Sequence, residues 1–596
     1  MRFLTGSLLL CLLGAGAAFP QGRRDTIVVT GVYEPISLEE ADRAVGVLDV
    51  GKQLLLSNAA VDLLRLDPSV DLRERAPGGV QSDLSIRGGT FGQTLVLLDG
   101  LRLNDVQTGH HNMDVPVPME FLSSIEVMRG SGSTLYGSDA VGGVVNFVTR
   151  PPEVSQFRLR TAAGNFGVNQ QRFSFAGVRG RISEQLTGSR DFSSGFIPNR
   201  DYRNLSLASN TYLSTGLGST AVLLAHSDRP YGADNFYGNY NSWERTKTWF
   251  ASLRQELGDR TEAAFAFRRH TDLFVLYRDR PQVFTNRHAV EGYQAALRRR
   301  EDIGRNTRLY YGVEAIHDSI ASNNLGYHSR STGAAYGAVD FRALGRFSLS
   351  AGVREQVYGA RRSEISPTAG AGVWLTGRLK LRGSVSRAFR LPSYTDLYYH
   401  DPANLGTPDL RPESAWSYDA GLNWNAGGRL RGEVTVFHRR ERDGIDYVRR
   451  SETDIWRAAN IQRLRFTGVE TSMTARIARS HEIEFRYAAL RGSREALDGL
   501  FSRYVFNYPT HTGVAAWQAA LPGSLVGRAR VGAVKRAGRN AYTVADAYVA
   551  RTGHRVRPFL HLTNLTNVSY EEIPRVPMPG RGIVGGIEVV VFGPFK

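Results

Sequence analysis

Two stretches of this chain hold side chains whose types and spacing could do chemistry. Residues 104–114 read NDVQTGHHNMD, and Gln107, His110, His111, Asn112 and Asp114 crowd donors and acceptors into a few positions that could meet a polar ligand. Adjacent histidines with a nearby aspartate carry metal-binding atoms, but side by side they lack the spacing that fixes a coordination geometry, so no metal site is assigned. Packing against another part of the molecule is the alternative for the whole group. Residues 231–243 read YGADNFYGNYNSW, where Phe236, Tyr237, Tyr240 and Trp243 offer flat faces for a bulky planar ligand, as do the tyrosines of 394–399. Catalysis has no comparable support. Ser, His and Asp are plentiful, yet no nucleophile elbow or metal motif occurs at a usable spacing, and an enzyme is not expected.

The elements that must position these residues begin with an export segment. Arg2 is a minimal positive start, Phe3 to Leu13 is an apolar run, and the small residues from Gly14 to Ala18 provide a cut after Ala17 or Ala18. The only cysteine, Cys11, lies inside that segment, so the mature chain is expected to carry no disulfide, thiolate nucleophile or cysteine metal ligand. A net charge of +17 invites a nucleic-acid partner. The arginines, however, are spread at alternate positions and in polar loops rather than gathered on one arm or helix, which argues against a nucleic-acid face. At an outer membrane the plainer partners are lipid and the phosphates of lipopolysaccharide, which guanidinium groups bind bidentately.

From about residue 155 the dominant period is two. Leu379, Leu381 and Val385 face one way against Arg378, Lys380, Arg382 and Ser384; Ile483, Phe485, Tyr487 and Ala489 alternate with Glu482, Glu484, Arg486 and Ala488. Residues 308–315 and 346–354 repeat the scheme. Strands of about 9 to 11 residues would cross a tilted bilayer. Averaging the two faces explains the negative mean hydropathy. Tight turns fall near Gly180, Gly218, Gly258, Gly304, Gly345, Gly377, Gly427, Ser480, Gly523 and Gly553, leaving room between them for two strands and one longer loop. Short turns on one side and long loops on the other imply a transmembrane β-barrel of about 22 strands. A barrel that wide leaks unless it is plugged. In such a barrel the aromatic stretches could equally form the interfacial girdle. Residues 583–592 supply a last alternating strand, with Phe595 close to the end.

Residues 25–150 differ in texture. Ser57 is a candidate N-cap for a short amphipathic helix over 58–66, followed by short strands at 84–87, 94–98, 125–129 and 144–149 and by glycine pairs at 78–79, 88–89 and 142–143. Here a resemblance becomes specific. Ser85-Ile86-Arg87-Gly88, Leu97-Leu98-Asp99-Gly100, Ile125 through Gly130, and Tyr136-Gly137-Ser138-Asp139-Ala140-Val141-Gly142-Gly143 stand in order. They resemble the plug of TonB-dependent outer-membrane receptors. Phe389-Arg390-Leu391-Pro392-Ser393, Leu410-Arg411-Pro412-Glu413 and Asn564-Leu565-Thr566-Asn567 are similar to further motifs of that family, so the likeness covers essentially the whole chain.

The resemblance implies a 22-stranded antiparallel transmembrane β-barrel holding an N-terminal α/β plug domain inside its lumen. It divides the chain into a signal peptide (1–18), a TonB box segment (19–31), a plug (32–150) and a barrel (151–596). Asp25, Thr26, Ile27, Val28, Val29 and Thr30 resemble the TonB box, whose β-branched run suits adding a strand to a partner's sheet edge. With the box so close to the cleavage site, no room is expected for an extra signalling domain before it. The family seats its plug with two arginines against barrel-wall glutamates; by motif these are Arg87 and Arg129 with Glu413 and Glu470. The polar stretch 104–114 falls where the family has a plug loop facing outward. The implied activity is active import of a scarce, large metal chelate across the outer membrane of a Gram-negative-type bacterium. TonB and its inner-membrane energising complex would drive a monomeric receptor. Cobalamin is the expected cargo, with a ferric siderophore or haem as alternatives and a passive porin or adhesive barrel as the competing class. No cofactor is expected, since metal would enter only within the transported chelate; a substrate-delivering lipoprotein is a further candidate partner.

Overall fold

The computed structural model describes residues 27, 28, 30 and 36–594, apart from 360–361, 479, 494–496 and 498. The signal peptide, Asp25, Thr26, Val29 and Phe595 lie outside the described residues. Twenty-two antiparallel strands, from Gln156–Gly164 to Gly582–Phe592, form one closed barrel, as expected. The first and last strands pair antiparallel, with Arg160 opposite Glu588. Closure leaves no sheet edge for another chain to extend.

The wall is inside out. Along Asn241–Leu257 the polar Ser242, Glu244, Thr246 and Thr248 are buried, while Trp249 and Leu253 are exposed. In the strand Leu379–Arg390, Lys380 and Arg382 are buried and Leu381 is exposed. Lipid covers the apolar register, and the lumen takes the polar one. Every expected short turn joins two adjacent strands, and the wider connections, such as those spanning 391–412, 443–463 and 564–581, all lie at the opposite end. That long-loop end is the outer one. Most of the strands exceed the expected length, reaching 19 residues in Thr285–Ile303, while those on either side of the closure, such as Gln156–Gly164 and Val556–Thr563, do not. Backbone pairing does not stop at the hydrocarbon edge, so the hairpins continue their ladders out of the membrane.

The plug fills the lumen. Its five-stranded sheet runs Val45–Asp49, Ser124–Arg129, Gly143–Val148, Thr94–Leu98, Leu101–Arg102, with 94–98 parallel to 143–148. Only Gly fits at 143, because a Cβ there would stand 2.5 Å from the Met128 carbonyl oxygen. A hairpin, Val70–Glu74 with Ser82–Ile86, leads into the plug's seating arginine. The helix expected over 58–66 is shorter, Ala60–Leu64, and Ser57 does not cap it. The helix starts two residues later than expected, with Ala59 at its N-cap; the Asp62 carboxylate accepts from the Asn58 and Ala59 amides at 2.9 and 3.1 Å, and the Ser57 hydroxyl accepts instead from Arg528 of the wall.

Candidate functional site

Among the polar contacts between plug and barrel, three regions bear on function. At the first, Arg87 reaches the wall through a fork: Nε donates to Glu470 Oε1 at 2.8 Å and Nη2 to Glu470 Oε2 at 2.7 Å. Its Nη1 pairs with Asp419, and the guanidinium stacks 4.3 Å over the Phe437 ring. Burial would lower its pKa, but Asp419 and Glu470 overturn this and raise it above an already high value. Arg129 donates to Asp67 Oδ2 at 2.9 Å and lies 3.4 Å from Glu433 and 4.0 Å from Glu470. Against its burial, Arg129 and Arg486 hold the Asp67 carboxyl down at about 2.

Glu413 corrects one expectation. Its carboxylate pairs with Arg390 of the neighbouring strand and accepts from the Ile445 amide at 2.7 Å, without reaching Arg87 or Arg129. It opens the strand Glu413–Ala426 at the outer end, whereas Asp419 faces the same lumen about 20 Å farther along that tilted strand, at the level of the plug sheet. Asp419 and Glu433 are the wall carboxylates that accompany Glu470.

The second region is the loop 104–114, set against the wall near the outer ends of the strands Gly218–Asp234, Asn241–Leu257 and Thr261–Val275. A turn at Gly109–His111, capped by Thr108, points the two histidines apart. His110 stacks on Phe91 at 4.0 Å between centroids and sits 2.6 Å from Asp83; burial keeps its pKa below the ordinary value. His111 is buried among Asp114, Asp272 and Glu244. Gln107 donates to Asp272 at 2.8 Å, Asn112 to the Phe91 carbonyl at 3.1 Å, and Asp114 lies 3.4 Å from Arg229. Of the aromatic stretch, Phe236 is buried and Tyr237 donates to Glu244 at 2.6 Å, so both face inward. Tyr240 is exposed at the outer rim, and Trp243 shares the lipid-facing register of Trp249.

The third region is a cavity of about 210 Å³ between the plug segment 58–78 and wall strands at both ends of the barrel sequence. Sequence reasoning missed it, because its wall strands come from segments more than three hundred residues apart that only barrel closure joins. Asp62, Asp67, Asp71, Glu74, Asp191, Asp546 and Glu572 line it, outnumbering Arg65, Arg200, Arg530 and Arg536. Arg65 bridges Glu74 at 2.6 Å to Glu572 of an outer loop at 2.7 Å, and Glu572 also accepts from the Glu74 amide at 2.7 Å. Burial, reinforced by Glu572 and opposed by Arg65, pushes the Glu74 carboxyl up to about 7.

Of residues 25–30, Ile27–Val28 pairs antiparallel with Ile36–Ser37. Thr30 is buried against the plug sheet: its amide donates to Glu126 Oε2 at 2.7 Å and its hydroxyl accepts from Asn146 at 3.0 Å.

A closed 22-stranded barrel, filled by an α/β domain seated on buried arginines, defines a plugged outer-membrane receptor. Comparison with known proteins agrees. The family model for the TonB dependent receptor-like β-barrel matches residues 156–569, and that for the TonB-dependent receptor plug domain matches 49–144. The chain belongs to the TonB-dependent receptors, transporters of the Gram-negative outer membrane that work with TonB. It is 25% identical to an iron-regulated outer membrane virulence protein of Vibrio cholerae over 85% of this chain and 84% of that one. With the vitamin B12 transporter BtuB of Photobacterium profundum it shares 23% identity over 70% of each. The solved siderophore receptor PirA of Acinetobacter baumannii superposes with a TM-score of 0.75 at 15% identity, over 92% of this chain and 98% of that one.

Proposed function

We propose that this receptor imports a scarce, large metal chelate, with cobalamin as the cargo. The observation that carries the choice is the charge of the outer cavity. Arg65, Arg530 and Arg536 of its lining are already paired with carboxylates of the same lining, so a polyanionic chelate finds little free positive charge there. A neutral corrinoid fringed with carboxamides finds carboxylate acceptors and the faces of Tyr202, Tyr542 and Tyr570. At about 210 Å³ the cavity takes only an edge of such a ligand, so the outer loops hold the rest. Likeness to a vitamin B12 transporter supports the same cargo. A ferric siderophore is the second reading, favoured by the iron-regulated relative that matches over 85% of this chain; haem stands with it by the same mechanism.

Transport then follows from the parts. Chelate settling on the plug apex disturbs the Arg65–Glu572 contact, the plug rearranges, and TonB takes the 25–30 segment as an added strand and pulls. Equilibrium binding of cyanocobalamin to the purified receptor in detergent, with ferric siderophores and haem in parallel, tests the cargo. Saturable nanomolar binding of cobalamin alone is expected. An iron chelate bound in its place would overturn cobalamin and leave the import mechanism standing. Deleting residues 25–31 should abolish uptake while surface binding persists; a passive porin would keep both.

A further inference from the structure

A few strands round the wall from the cavity, two histidines from distant parts of the chain meet at one carboxylate. His111 Nδ1 lies 3.7 Å from Asp114 Oδ2, and His270 Nε2, 156 residues along the chain from Asp114, lies 3.1 Å from the same oxygen. These three ligand atoms all stand within 4.8 Å of one another, and all three residues are buried. Around a four-coordinate ion with bonds of about 2.0–2.1 Å, neighbouring ligand atoms sit roughly 3.3 Å apart, so small side-chain adjustments would close the set.

The far nitrogens are equally telling. His111 Nε2 stands 3.3 Å from Asp272 Oδ2, and His270 Nδ1 stands 2.8 Å from Asp105 Oδ2. Each imidazole thus turns one nitrogen inward and has a carboxylate near the other; His270 Nδ1 makes no hydrogen bond among the described residues, and a small ring rotation would bring Asp105 into the position that orients metal-bound histidine and raises its basicity. Buried as it is, His111 Nδ1 has no hydrogen-bond partner among the described residues. Charge points the same way. Asp105, Asp114, Asp272 and Glu244 surround the pair; among the described residues the guanidiniums that answer them are Arg268, 2.9 Å from Asp105, and Arg229, 3.4 Å from Asp114. That excess of carboxylates over guanidiniums favours a cation among them.

We propose that His111, His270 and Asp114 bind one divalent transition-metal ion of the zinc class, clamping the 104–114 loop of the plug to the barrel wall. Two imidazoles and one carboxylate suit borderline ions such as Zn²⁺ or Co²⁺ and discriminate against Ca²⁺ and Mg²⁺. The site is independent of which chelate is carried, and its test involves no cargo.

The full-length receptor in detergent is stripped with a chelator, desalted and titrated with Zn²⁺ against a chromophoric competitor. One equivalent should bind, Co²⁺ should give visible absorption bands that Zn²⁺ abolishes, and Zn²⁺ should slow amide exchange across residues 104–114. His270→Gln should weaken binding at least 100-fold, and Asp272→Asn by about 10- to 100-fold through His111. Retention of the heat-dependent gel shift of a closed barrel shows that each variant is folded. If His270→Gln does not fold, Asp114→Asn is read in its place, and the exchange measurement on the unaltered protein needs no variant. Absence of stoichiometric Zn²⁺ binding, or binding indifferent to His270→Gln, would overturn the proposal. So would binding lost in Glu244→Gln but kept in His270→Gln, because that would place the ion on the other nitrogen of His111.

Discussion

Arg87 occupies left-handed backbone (φ 52) followed by Gly88 (φ 74), a conformation that an arginine rarely adopts. That local cost is tolerated because the turn aims the guanidinium squarely at Glu470 and Asp419. Arg87→Ala would strand two buried carboxylates and should destabilise plug seating by about 3–5 kcal/mol, read as a lower urea midpoint for plug exposure. Adding Glu470→Gln and Asp419→Asn should recover most of the loss, since the cost lies in uncompensated charge. A second residue-scale prediction concerns pH. Unfolded, Glu74 ionises near its ordinary 4.5, whereas seated it does so at about 7. Its stabilising protonated state is fully retained below about 4.5, and stability falls as pH rises to about 7, by an amount on the order of 3 kcal/mol. Amide exchange in residues 70–86, corrected for its intrinsic pH dependence, should accelerate across that window, and Glu74→Gln should flatten the response. The seating arginines were legible in the sequence as parts of motifs. Their acceptors were only half so: Glu470 was found, but Glu413, Asp419 and Glu433 look alike on alternating strands, and only their depth in the lumen separates them. His270 could not be linked to His111 from sequence, since neither their spacing nor any local pattern connects them.

At the scale of elements the turns were the legible part. Gly258, at φ 63 with nothing within 4 Å of where a methyl group would stand, marks a tight turn whose demand is purely conformational. Gly143 is a different case, since a Cβ there meets the Met128 carbonyl at 2.5 Å and the Ile86 side chain at 2.7 Å. Gly143→Ala must therefore push apart the central plug strands and should cost about 1–3 kcal/mol. Gly258→Ala should cost about 1 kcal/mol and leave the plug untouched. Exchange protection in the sheet strand Thr94–Leu98 distinguishes them: it should drop in the first variant and hold in the second. Strand ends were less legible than turns. Alternation tells which face a residue takes, but it continues unchanged where a hairpin leaves the membrane, so it says little about length. The helix cap was misplaced because the helix starts at Ala60, leaving Ser57 two residues before the N-cap, where its hydroxyl meets a wall arginine that no local pattern reveals.

The whole molecule joins two structures with separate reasons to exist. The barrel closes through backbone pairing alone, with Gln156–Gly164 registered along Gly582–Phe592 and no plug residue in the ladder. What the plug adds is occupancy of the lumen and partners for wall charges, among them Arg160 to the Leu54 carbonyl at 2.8 Å, Lys380 to Asp42 at 2.7 Å and Arg536 to Asp71. Removing residues 36–150 should therefore leave a folded barrel that still shows the heat-dependent gel shift of closure. Its orphaned lumen charges would be hydrated rather than buried unpaired, so the expected stability loss is smaller than the number of broken ion pairs suggests. In planar bilayers the intact receptor should be electrically silent and the plugless barrel should conduct, because a 22-stranded wall is too wide for its own side chains to fill. A plugless chain that failed to close would mean that the plug templates the barrel. A closed but silent one would mean that the outer loops, rather than the plug, seal the lumen.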